Sequence, residues 1–182
     1  MPDRLHFTDS DEANALIATE PMALLIGFAL DQQVQVQKAF HGPLALRERI
    51  GAIDAATLAS ADLEPVFRER PAIHRFPGSM AQRVQDLAQH VVDEYGGDAS
   101  KLWNDAKDAD DLRARLAALP GFGEMKIKST AAVLAKRFGV AQAEPLVPNH
   151  PTLGDVDSAE ALADYQAKKR AHKMEMRAKG QA

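Results

Sequence analysis

Leu119-Pro120-Gly121-Phe122-Gly123 is the stretch that decides how this chain is read. Before it, Leu112, Leu116 and Leu119 recur at helical spacing, with Asp108 or a neighbour as cap and acids in the first turn. After it, Ile127, Ala131, Leu134, Ala135 and Phe138 form one apolar face that Gly139 ends. A helix, a hairpin and a second helix are therefore predicted over about 109–139. Gly121 and Gly123 lack a Cβ, so the backbone turns tightly and another group approaches it closely. Pro120 stiffens the turn, and Phe122 plugs the space between the helices. The first N–H groups of a helix have no internal acceptor, and an anion satisfies them well. Lys126 and Lys128 follow at once. The pattern points to a turn that grips a phosphate; a plain helix connection is the alternative, since Pro-Gly turns are common.

Helical periodicity covers nearly the whole chain. Pro21 suits a first helical turn, and Leu25, Phe28, Ala29, Gln32 and Val36 keep the rhythm of a central buried helix ended by His41-Gly42-Pro43. Short helices are expected over 44–50, 55–59 and 63–69. Ser79 caps a strong helix whose stripe is Val84, Leu87, Ala88, Val91, Val92 and Tyr95, with Gly96-Gly97 as its stop. Pro145, Pro148 and Pro151 make 140–153 an extended connector. Asp157-Ser158 opens a last, basic helix over about 158–178. No alternating strand pattern and no repeat occurs. The expected class is all-α, a single domain over 1–182.

Apolar residues make up 46% and charged residues 26%, a globular balance. There is no cysteine, which excludes iron-sulfur clusters, thiolate zinc sites and cysteine nucleophiles. No secretory signal or apolar run of membrane-spanning length is visible, so a cytoplasmic, nucleoid-associated monomer is expected. The net charge of -4 disfavours a nucleic-acid partner only on average. Residues 168–179 carry six cations against Glu175, and residues 121–137 carry four against Glu124. Local charge decides where a polyanion docks.

The hairpin and its lysine-bearing helix resemble those of the helix-hairpin-helix (HhH-GPD) base-excision DNA glycosylases, the group that includes endonuclease III and the adenine-mismatch glycosylase. Leu30-Asp31-Gln32-Gln33-Val34-Gln35-Val36 resembles the glutamine-bearing helix end which that family sets against DNA, and Pro77-Gly78-Ser79-Met80-Ala81 falls where it has a glycine-lysine-alanine segment. The match spans about 23–138 and is nearest to a small, cysteine-free bacterial branch. The resemblance implies a two-lobed helical fold that holds double-stranded DNA with one nucleotide flipped from the stack. Gln33 would fill the space the flipped base leaves, and Gln32 would read the lesion or the opposite strand; a solvated polar helix end is the alternative. Leu119, Gly121, Phe122, Gly123, Met125, Lys126 and Lys128 would form the DNA contact. Backbone carbonyls of Ala117, Leu119 and Phe122 would hold K+ or Na+ bridging to phosphate; no other cofactor is expected.

The chain departs from the family in two places. Bifunctional members carry a nucleophilic lysine two residues after the second hairpin glycine; here that residue is Met125, and a thioether forms no Schiff base. Lys126 is one residue late, about 100° around the helix. A monofunctional enzyme is therefore expected. The family's aspartate, some 18–20 residues further on, is also missing: the window holds Glu144, and a looser alignment on Val147-Pro148-Asn149-His150 offers Asn149, with His150 to assist it. Asp155 and Asp157 follow but suit helix caps. A weakened catalytic set fits bases that leave easily, uracil or 5-hydroxymethyluracil. Two other functions stay open: a DNA-binding module that recognises distorted DNA without cutting, and a scaffold whose basic helix binds an acidic protein.

Overall fold

A computed structural model describes residues 1–180, and among these the fold is all-α, without a strand. Two sets of helices carry most of the packing and share one apolar core. The first set is built on α2 (Pro21–Leu30), which is buried from Met22 to Leu30. Against it lie α1 (Asp11–Thr19), α3 (Val36–Ile50) and α6 (Pro77–Tyr95), with α4 (Ala55–Ser60) and α5 (Leu63–Arg68) packed on α6. The second set contains α7 (Lys101–Asn104), α8 (Ala109–Ala117) and α9 (Glu124–Phe138), with 3₁₀ turns at Ala141–Leu146 and Leu153–Asp155 packed on α9. The last helix, α10, runs from Ala159 to Ala178.

Close approach of α2 and α3 rests on Gly27: a Cβ there would lie 2.3 Å from the Phe40 ring. Phe40 in turn meets Phe7 and Phe28 edge-on, at centroid distances of 5.0 and 5.1 Å. The stripe expected for α6 is observed, with Val84, Leu87, Ala88 and Val91 buried and Gly96 as the left-handed cap. Asp108 and Ser158 cap α8 and α10 as their positions predict.

Several boundaries differ from expectation. The helix after Pro21 stops at Leu30 rather than at His41-Gly42-Pro43. Residues 31–35 cross over, with Gln33 at φ 58°, a left-handed value that no helix continues through. The chain then re-enters helix at Val36 and passes straight through Pro43. Pro43 removes one N–H, but burial of Ala39, Phe40, Gly42, Leu44 and Leu46 outweighs that loss. Ser79 is inside the first turn of α6, because Pro77 takes the first position. The connector expected to be extended over 140–153 folds into 3₁₀ turns despite Pro145. The helix α1, capped by Ser10, was not foreseen.

No single helix is long and apolar enough to cross a membrane; α1 and α2 reach that length only together, bent at 113°, with α2 inside the core.

Candidate nucleic-acid interface and cleft

The hairpin closes by a hydrogen bond from the Phe122 N–H to the Leu119 carbonyl, 3.2 Å, with Gly121 at φ +75°. Leu119 and Phe122 are packed into the core, at 2% and 6% exposure. Gly123 is the N-cap of α9 and offers no side-chain acceptor. The N–H groups of Glu124, Met125 and Lys126 find no acceptor among the described residues, since the first bond of α9 runs from Ile127 to the Gly123 carbonyl. A Cβ at Gly123 would meet nothing within 4 Å, so the space before the helix is open. Met125 is 81% exposed beside it. These are the requirements for an anion at a helix N-terminus. The carbonyls of Ala117 and Phe122 take part in none of the turn hydrogen bonds, which leaves them able to hold a monovalent cation; that of Leu119 already accepts from Phe122.

Arg83, on α6, joins this hairpin to the glutamine loop. Its Nη1 donates to Gln32 Oε1 at 2.6 Å. Its guanidinium lies so close to Gly121 that a Cβ there would sit 2.6 Å from Nε. Gln32 and the hairpin, about 90 residues apart in sequence, therefore share one cation. Gln33, next to Gln32, is exposed in its left-handed conformation.

The two hairpin lysines take different positions. Lys128 is exposed and lies 3.8 Å from Glu124, which also pairs with Arg113 of α8. That bond to Arg113 holds the Glu124 carboxyl below its ordinary range. Lys126 turns away from the hairpin surface: its Nζ donates to the Ala29 carbonyl at 3.0 Å and lies 5.7 Å from the Phe122 ring centre. Burial, and secondly Arg83, lower it to about 8 against a weaker pull from Asp31. Lys126 was expected among the DNA contacts; its ammonium caps the last turn of α2, whose carbonyls would otherwise be orphaned. His74, buried, faces the Leu30 carbonyl at 3.0 Å through Nε2 while its Nδ1 accepts from the Phe76 N–H. That pattern is neutral imidazole with the proton on Nε2, and burial lowers its pKa accordingly.

Asp31 caps α2 at the centre of this cluster and is half-buried. Burial raises its carboxyl above the ordinary range, although Lys169 and Lys126 oppose this. Lys169 comes from α10, which is seated here by buried Leu162, half-buried Tyr165 and a reciprocal amide pair, Gln37 with Gln166, at 3.0 and 2.7 Å. Burial raises Tyr165, and the Asp31 charge adds to it.

Glu144, Asn149 and His150 are not part of this cluster. All three are exposed, and none makes a hydrogen bond or ion pair with the hairpin or residues 31–33. The turn that carries Glu144 packs on α8 and α9. Asp155 pairs with Lys136 and accepts from the Thr152 N–H at 2.9 Å, so it closes its own 3₁₀ turn; Asp157 is exposed, and Ser158 caps α10. Among the described residues no group of three or more His, Asp or Glu side chains could hold a metal ion. Asp31, Arg83, Tyr165 and Lys169 were missed as site residues. Asp31, written into the same heptapeptide as the glutamines, and Lys169, within the basic run 168–179, carried a signal in the sequence; Arg83 and Tyr165 did not. Compared with models of protein families, with curated proteins and with solved structures, the chain matches none.

Proposed function

We propose that this chain is a monofunctional DNA glycosylase of the helix-hairpin-helix kind, with a two-lobed fold, which removes a modified base from duplex DNA. One observation carries it: Arg83 ties Gln32 to Gly121, which sets the glutamine loop beside an open, uncapped helix N-terminus. A hairpin that binds one phosphate fixes the strand's register, which is what phosphate contacts do. The adjacent Gln33, held at the tip of a left-handed loop, then fills the stack as a nucleotide swings out. Ala117 and Phe122 carbonyls would hold the cation bridging hairpin to phosphate. Met125 supplies no amine, and Lys126 is engaged with Ala29, which supports hydrolysis without strand cleavage.

The favoured substrates are uracil-type bases, uracil or 5-hydroxymethyluracil, whose anions leave more readily. The exposed, separate positions of Glu144 and Asn149 favour a second reading, a DNA-binding module that recognises distorted duplex without cutting it. A panel of duplexes with one modified base each, treated with alkali after incubation, separates the two. Nicks at one lesion support the glycosylase. Tight binding with no nick at any lesion supports the module. Cleavage without alkali, or a borohydride-trapped adduct, rejects the monofunctional assignment.

A further inference from the structure

The cluster between hairpin, glutamine loop and α10 contains three cations, Arg83, Lys126 and Lys169, and one carboxylate, Asp31. Among the described residues Asp31 has no side-chain hydrogen bond and no ion pair within 4 Å, yet it lies in the field of both lysines. Its oxygens are not sealed from solvent, unlike Thr130 Oγ1 and Arg137 Nε, which are fully buried without a partner. A structural aspartate in such company would close on a lysine. Lys126 is held instead by the Ala29 carbonyl, and Lys169 lies 5.9 Å from the Tyr165 ring centre. Asp31 also directly precedes Gln32 and Gln33. The carboxylate thus reaches solvent and is without a partner among the described residues.

Building on the reading of this chain as a glycosylase, we infer that Asp31 is its catalytic carboxylate, from a position upstream of the hairpin rather than downstream of it. Hydrolysis of an N-glycosidic bond needs an anion beside the positive charge that develops on the sugar, and a base for the attacking water. At the proposed site the C1′–N bond breaks and its electron pair leaves with the base. The oxygen of water bonds to C1′. The proton that water loses passes to Asp31 and from there to the nitrogen of the departed base, which restores the carboxylate. Lys126 from α9 and Lys169 and Tyr165 from α10 face Asp31, with Arg83 from α6 beside Lys126 and His74 neutral behind. A carboxylate in this setting gives a rate that falls toward acid with a midpoint above the ordinary aspartate range.

The test compares wild type with Asp31→Asn under single turnover, on the duplex that wild type cleaves in the lesion panel. Binding to a duplex with a tetrahydrofuran abasic analogue is measured beside it. The expected result is a rate lowered at least about 100-fold, with binding unchanged and partial rescue by added formate. Asp31→Glu should keep part of the rate and an acid limb. A rate for Asp31→Asn within about threefold of wild type overturns the inference and leaves the glycosylase reading standing. Loss of tetrahydrofuran-duplex binding in step with the rate also overturns it, because Asp31 would then only hold the loop. No product from wild type on any duplex sinks the reading and this inference with it.

Discussion

The two hairpin glycines have different tasks, and substitution separates them. Gly121 sits at φ +75° with Arg83 Nε 2.6 Å from where a Cβ would be. Gly121→Ala therefore strains the backbone and displaces the arginine that holds Gln32. A cost of about 1–3 kcal/mol in urea denaturation is expected. Gly123 is at φ −89° with open space around it. Gly123→Ala should change stability by less than about 1 kcal/mol. It should nevertheless weaken salt-dependent DNA binding, since the methyl stands before the free N–H groups of α9. Unchanged affinity in Gly123→Ala would remove the hairpin from the interface. At this scale the sequence was a good guide to the backbone. Gly121, Gly123 and the buried plug Phe122 were all legible from local chemistry. Arg83 was not. It lies on a polar flank of α6, 51 positions from Gln32, and looks like a solvated side chain until the fold brings it across.

Elements were legible where local chemistry sets their ends, as at Gly96, Asp108, Gly139 and Ser158. They were not where tertiary contacts do. Nothing local stops α2: no proline or glycine lies between Leu30 and Val36. The break holds because Lys126 and His74, from distant segments, satisfy the carbonyls that the broken helix leaves free. In α3 the opposite occurs, and packing carries the helix through Pro43. That packing makes Gly27→Ala a sharp test of how α2 meets α3. Phe40 is fully buried and confined by two other rings, so the added methyl cannot be accommodated by a rotamer change. A loss of about 1–3 kcal/mol in thermal or urea unfolding is expected. The last helix behaves differently. From Ala167 onward α10 is almost wholly exposed, and Arg170, Lys173 and Arg177 form no ion pair among the described residues. Replacing those three by Gln should leave the unfolding midpoint nearly unchanged. The slope of log affinity against log salt should shrink by about 0.9 for each phosphate that the helix no longer neutralises. An unchanged slope would mean that α10 serves only to cover Asp31.

Across the whole molecule, the proposed site should cost stability at neutral pH, and the pH dependence of unfolding reports this. Asp31 has a raised pKa in the folded chain, chiefly through burial. Below its unfolded value it is neutral in both states and costs nothing. As pH rises through the folded value, the unfolded chain has already released its proton, so stability falls. Lys126 works from the other side: lowered to about 8 against an ordinary 10.5, it is charged and partly buried at neutral pH. That cost stands below the folded value and is relieved as pH rises from about 8 toward 10.5, where the unfolded chain holds the extra proton. Relative to wild type, Asp31→Asn should therefore gain stability as pH climbs from the acid range to 7. Lys126→Met should lose part of its standing between pH 8 and 10.5, whatever offset the lost bond to Ala29 imposes. The two charges attract, and each single variant forfeits that attraction while the double variant forfeits it only once, so the double variant should gain more than the single variants together. Urea midpoints for the four proteins across pH 4 to 10.5 check all three statements. Variants that track wild type at every pH would show that neither charge is held against solvent, and the cluster would lose its claim to be a site maintained at the expense of stability.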